Sequence, residues 1–177
     1  MKENEHLRYP IGKFKAPKEF TIDLRENLIS EIEETPFHLR DAVESLNDDQ
    51  LNTPYREGGW TVEQVIHHLP DSHMNAYIRI KLALTEDVPV IKPYKEDAWA
   101  KLEDYITTPI ETSLMLLDSI HKRWVILLRS LTAEQFNRKF RHPEVGLVDI
   151  NWCVAQYAWH GKHHIAHINS LKQRMGW

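Results

Sequence analysis

The stretch WHGKHHIAHI, Trp159 to Ile168, places four histidines within about three turns of one helix, where a core helix ordinarily carries leucine. A stripe advancing in steps of four and three reads Cys153, Tyr157, His160, His164, His167 or Ile168, Leu171, Met175, so the imidazoles fall on the inward face. Each buried imidazole left without a partner costs about 1–3 kcal/mol. A fold that accepts this helix must therefore bring it shared partners, and a bound ion is the most economical one.

The rest of the chain supplies helices to pack against it. Glycine is scarce, at 6 residues, and apolar residues recur at helical rather than alternating spacing, which predicts an all-α four-helix bundle with short accessory helices. The first long helix is expected from about Thr21 to Ser45, with Leu24, Leu28, Ile32, Leu39, Val43 and Leu46 as its stripe and Pro36 as a kink. The second opens at Thr61, where Thr-Val-Glu-Gln forms a capping box, and runs to about Thr85 with a bend at Pro70. A long loop, TEDVPVIKPYKED, then leads to a short helix around Ala98 to Glu103. The third opens at Thr108-Pro109-Ile110-Glu111, read as threonine cap and first-turn proline, and buries Ile110, Leu114, Leu117, Trp124, Leu128 and Leu131. A short helix at Thr132 and an irregular piece, RKFRHPEVGLVD, precede the fourth, Ile150 to Met175, which Gly176 ends.

Length and charge narrow the function. With 177 residues the chain suits one domain, 1–177, and its formal net charge of −4 argues against nucleic acid as a partner. No apolar stretch is long enough to span a membrane, and MKENEHLRYP lacks the apolar run of an export signal, so a cytoplasmic protein acting on a small molecule is expected. Cys153 is the single cysteine; it reads as a small core residue, and any metal must be held by His, Asp or Glu.

His160 and His164 stand one turn apart on one face, a spacing at which two imidazoles grip one ion. On the second helix Val65, His68, Ser72 and Asn75 share a stripe, making His68 the best-placed third ligand. Three neutral imidazoles around a divalent ion favour an anionic fourth ligand such as hydroxide, thiolate or carboxylate. His67 and His163 point about a quarter turn away and are expected at the surface or behind the ligands. His167 lies one turn beyond His164, where it could bond a ligand or substrate; Asp71 could orient a ligand imidazole or simply be a solvated carboxylate. Catalytic candidates are thus Asp71 and His167. His6, His38, His121 and His142 are read as structural or exposed.

These motifs resemble a known family. GGWTVEQVIHHLPDSHMN is similar to the tryptophan-to-histidine motif of the DinB/YfiT-like superfamily, and WHGKHHIAHI to its C-terminal histidine motif; YPIGKFK, TPYREGGW and RMGW resemble the YfiT branch. The resemblance implies an up-down-down-up four-helix bundle, usually a homodimer, holding zinc or nickel through three histidines. Eight residues after Trp60 and directly before Leu69, the first ligand falls on His68, and the final pair on His160 and His164. Pro70 and the ending HIAH depart from the family pattern, the latter placing His167 where glutamine is common. The branch is described both as metal-dependent hydrolases and as bacillithiol S-transferases. The leading expectation is a metal-dependent thiol S-transferase acting on electrophilic small molecules, with a low-molecular-weight thiol as co-substrate. Hydrolysis by metal-activated water is the alternative, and a non-catalytic metal-stabilised bundle the third. Gly161 stands where the zinc proteases carry their glutamate, which weighs against peptide hydrolysis.

Overall fold

Thr61 and Gln64 cap each other's backbone as their spacing requires, and the helix they open carries His68 two turns in. The computed structural model describes residues 5–177; the opening of the segment read for an export signal, residues 1–4, lies outside them. In chain order the elements are α1 (Glu5–Arg8), α2 (Ile22–Val43), α3 (Asp48–Leu51), α4 (Val62–Thr85), α5 (Glu96–Trp99), α6 (Asp104–Thr107), α7 (Ile110–Arg129), α8 (Ala133–Phe136), β1 (Lys139–His142), β2 (Gly146–Asp149) and α9 (Ile150–Met175). The long helices α2, α4, α7 and α9 make the bundle, and no helix among the described residues is long and apolar enough to cross a membrane.

Side-chain pairs fix the direction of each helix. Arg25 bonds Asn151, Lys162 pairs with Glu31 and Lys172 bonds the Ala42 carbonyl, so α2 and α9 run parallel. His67 meets Ser113 and His73 meets His121, so α4 and α7 are also parallel. Arg40 pairs with Glu111 and Arg129 with Glu33, which sets α2 against α7, while His68 and Ser72 reach back to His160 and Tyr157, which sets α4 against α9. The order is up-down-down-up, as the resemblance implied.

As expected, α2 and α4 continue through Pro36 and Pro70, each giving up one backbone hydrogen bond without ending. The local differences from expectation lie elsewhere and have physical reasons. α7 starts at Ile110 with no side-chain cap, because Thr108 closes α6 instead, its amide bonded to the Asp104 carbonyl. Two short helices, α5 and α6, flank the single one expected around Ala98 to Glu103. The segment expected to be irregular is a β-hairpin pairing Phe140 with Val148, whose tight return uses Gly146 at φ 93°. Strands of four residues are too short to show a period, but Phe140 points inward, buried against the bundle.

The core falls into two apolar clusters. One gathers Ile29, Ile32, Ile80, Trp124, Leu128 and Ile150 near the hairpin; the other gathers Leu39, Val65, Ile66, Leu69, Leu117 and Ile168 at the opposite end. Between them lies a polar layer of His67, His68, His73, His121, His163 and His164, all buried. Where α2 and α9 meet, a Cβ on Gly161 would stand 2.7 Å from Thr35 Cγ2 and 2.8 Å from its Oγ1. Gly161 is therefore a packing contact facing α2, and a glutamate there would point away from the histidine layer.

Gly161→Ala is expected to destabilise the protein by about 1–3 kcal/mol despite alanine's better helix propensity, because β-branched Thr35 cannot swing aside. Urea unfolding of the variant, and of Gly161→Ala combined with Thr35→Ala, checks this: the second change should recover most of the loss.

Candidate metal centre

One ring nitrogen from each of His68, His160 and His164 lies within 4.8 Å of the other two. His68 Nε2 and His160 Nε2 stand 3.3 Å apart, close to the ~3.4 Å that separates two nitrogens at about 2.05 Å from one tetrahedral ion. His68 comes from α4, while His160 and His164 lie one turn apart on α9. Trp60, just before α4, covers the trio, its ring 4.7 Å from that of His68 and its indole N–H donating to Asp97 at 3.1 Å.

The donor set fits a divalent cation. Burial holds His68 down to about 3, from an ordinary 6.5, and holds His160 and His164 well below their ordinary value, with neighbouring imidazoles adding to the effect. The rings are therefore neutral, as ligands must be. The Nδ1 atoms of His68 and His164 are buried without a hydrogen-bond partner, and no carboxylate bonds any of the three rings among the described residues. Converging ring nitrogens with so few other protein partners suit a divalent cation.

The other candidates have different places. Asp71 accepts a hydrogen bond from the Tyr105 hydroxyl at 2.7 Å and orients no ligand imidazole; burial raises its pKa. His167 stands outside the trio, stacked on Tyr55 at 4.0 Å with its Nε2 3.1 Å from the Arg8 carbonyl, so it fastens the N-terminal segment across the site. His67 and His163 are not at the surface: His67 Nδ1 meets Ser113 Oγ at 2.7 Å, and His163 stacks on Trp159 at 4.4 Å. Cys153 is buried as expected, its thiol pushed up to about 12 by burial.

Three residues were missed. His73 and His121 hydrogen-bond each other at 2.8 Å, and His73 Nε2 reaches His160 Nδ1 at 3.1 Å. The signal for His121 was present, since it fills the gap between Leu117 and Trp124 on the α7 stripe. The third is Glu96, which borders two cavities flanking the trio. A cavity of about 380 Å³ is lined by His164 with Arg8, Tyr55, Arg56 and Trp60; a smaller one of about 180 Å³ is lined by His160 with Ser72, Arg79, Cys153 and Tyr157. Glu96 sits at the exposed rim, and partial desolvation, with Asp97 and Glu144 nearby, raises its pKa.

A four-helix bundle with three convergent imidazoles in its polar layer defines the class. The chain belongs to the DinB superfamily, whose profile matches residues 31–168. A Bacillus cereus protein provisionally named a metal-dependent hydrolase is 53% identical over 97% of this chain and 98% of its own length. An Oceanobacillus iheyensis protein of the same name is 55% identical over 96% of this chain and 98% of its own. The solved structure of YfiT from Bacillus subtilis, described as a probable metal-dependent hydrolase with an unusual four-helix bundle topology, superposes with a TM-score of 0.95 at 50% identity, covering 97% of this chain and 99% of that one. A second four-helix bundle protein, at 18% identity and a TM-score of 0.57, shares the fold.

Because His68 and His121, held down to about 3 and about 4, are neutral in the native state, the unfolded chain binds more protons below pH 6.5. Native stability is full above that pH and falls as acid is added towards pH 4, each such imidazole contributing a slope of up to about 1.4 kcal/mol per pH unit. Urea midpoints of the metal-free protein across this range should drop steeply; a flat profile would show that the imidazoles are not buried and neutral.

Proposed function

We propose that His68, His160 and His164 hold one divalent ion and that the protein is a metal-dependent S-transferase joining a whole low-molecular-weight thiol, of the bacillithiol type, through its sulfur to an electrophilic small molecule. The convergence of three neutral imidazoles between two cavities carries this reading: His164 lines one and His160 the other, so two small molecules have separate approaches to one centre. When bound, the ion supplies Lewis acidity, lowering the pKa of a thiol or water and fixing its direction. All-imidazole ligation suits zinc or nickel.

The chain's own groups do the rest. Arg8 and Arg56 offer cations to a carboxylate on the thiol partner in the larger cavity. Glu96, bordering both cavities, is placed to accept the thiol proton, its raised pKa bringing its basicity nearer neutral conditions. Trp60 and Tyr55 wall the larger cavity and reduce water access to the nucleophile. Sulfur attack on the electrophile forms the thioether, and the leaving group departs with its bonding electrons.

Hydrolysis is the second reading, favoured by the names that the relatives carry. Here Glu96 would take the proton of a water whose acidity the ion, held by His68, His160 and His164, would raise.

Elemental analysis of the untagged protein should find about one zinc or nickel per chain, lost in His68→Ala, His160→Ala and His164→Ala and kept in His163→Ala. The metal-loaded protein should then convert a carboxylate-bearing thiol and chlorodinitrobenzene to the thioether, with His160→Ala slower by about 100-fold or more. Retention of metal by all three alanine variants would refute the site. Ester cleavage without thiol, and no thioether with it, would replace transfer by hydrolysis.

A further inference from the structure

We propose that His73 and His121 are positioning residues: a buried relay of imidazoles, anchored on the Ile32 carbonyl, that fixes the tautomer of His160 and presents its Nε2 lone pair to the ion. The inference deepens the metal-binding reading, on which its second test rests.

The chain of bonds leaves one solution. Pro36 has no N–H, so the carbonyl four residues earlier, Ile32, lacks its helical donor and is free within α2. His121 Nδ1 lies 2.5 Å from that oxygen. A carbonyl only accepts, so His121 carries its proton on Nδ1 and, being neutral, has a bare Nε2. His73 Nδ1, 2.8 Å away, must therefore donate to it, which leaves His73 Nε2 bare. His160 Nδ1, 3.1 Å further on, donates in turn, so His160 Nε2 is a lone pair aimed at His68 Nε2. Every tautomer from the carbonyl to the ligand nitrogen is set by one missing amide proton on Pro36.

The surroundings protect this order. His73 is fully buried, with the rings of Trp124 at 6.0 Å and Tyr157 at 5.1 Å edge-on to it. No acid faces its ring nitrogens, each of which already has an imidazole partner. The other two ligands have no comparable anchor, because His68 Nδ1 and His164 Nδ1 are buried without partners. His160 is thus the ligand prepared in advance, and His68 and His164 adjust to the ion. A metal-site imidazole is ordinarily oriented by a carboxylate or carbonyl directly; here the carbonyl acts through two intervening rings.

Nitrogen NMR of the metal-free protein labelled with ¹⁵N-histidine reads the tautomers without reference to metal or activity. The expected result is a protonated Nδ1 and bare Nε2 for His121, His73 and His160. A proton on Nε2 of His73 or His121 overturns the proposal. Zinc titration then tests the consequence. His121→Phe should weaken zinc binding by about 10- to 100-fold, the usual loss when a ligand's orienting partner is removed. His121→Gln, whose amide both donates and accepts, should recover most of that loss and restore the His73 tautomer. Unchanged affinity in His121→Phe, or equal loss in the phenylalanine and glutamine variants at matched stability, would show a packing role only. If the native protein binds no zinc or nickel, the metal reading fails, and the tautomers still decide whether the relay exists.

Discussion

A layer of uncharged imidazoles crosses the middle of this bundle, and the placement of every long helix answers to it. Apolar clusters close the bundle above and below, so the layer meets solvent only through the two cavities beside His160 and His164, and most of its groups lean on partners within the bundle. Three solutions operate side by side. His67 bonds a serine; His73 and His121 bond each other and a carbonyl; His68, His160 and His164 converge, leaving room for an ion.

Topology follows from the same need. Convergence of His68 with His160 and His164 requires α4 and α9 to be neighbours, and their antiparallel packing puts His68 opposite the one-turn pair on α9. The relay extends the requirement to α7, which contributes His121, and to α2, which contributes the Ile32 carbonyl. All four helices thus meet in one hydrogen-bonded system. Gly161 lets α9 approach α2 closely at this level, so the absence of a side chain there is a packing requirement. The prolines in α2 and α4, read from sequence as a kink and a bend, leave both helices continuous; the one in α2 frees an acceptor that the polar layer uses.

Much of this was legible in the chain itself because helical periodicity and caps are local. The stripe through Cys153, Tyr157, His160 and His164 put imidazoles in the core, and the stripe Val65, His68, Ser72 and Asn75, with the family motif's spacing from Trp60, chose His68 over His67. What could not be read depended on distant partners. Asp71 has the spacing of an orienting carboxylate, yet the Tyr105 hydroxyl of α6 claims it, and α6 is a four-residue helix too short for its course to be read from a period. His163 is covered by Tyr9 of the N-terminal segment and His167 by Tyr55 of the α3–α4 connection, partners that lie far off in sequence and that helical spacing on α9 alone does not reveal. The hairpin escaped for the opposite reason: its strands are four residues long, below the length at which alternation differs from chance. Glu96 opens the short helix α5, which carries no motif, so only the cavities disclose it.

The central claim is that three imidazoles hold one ion and leave one position open to small molecules. X-ray absorption at the metal edge of the zinc- or nickel-loaded protein tests this most directly. The account predicts about three imidazole nitrogens at about 2.0–2.1 Å, with a further light ligand that exchanges with added anions. A shell closed by a fourth protein ligand, indifferent to added anions, or one with fewer than three imidazoles, would contradict it.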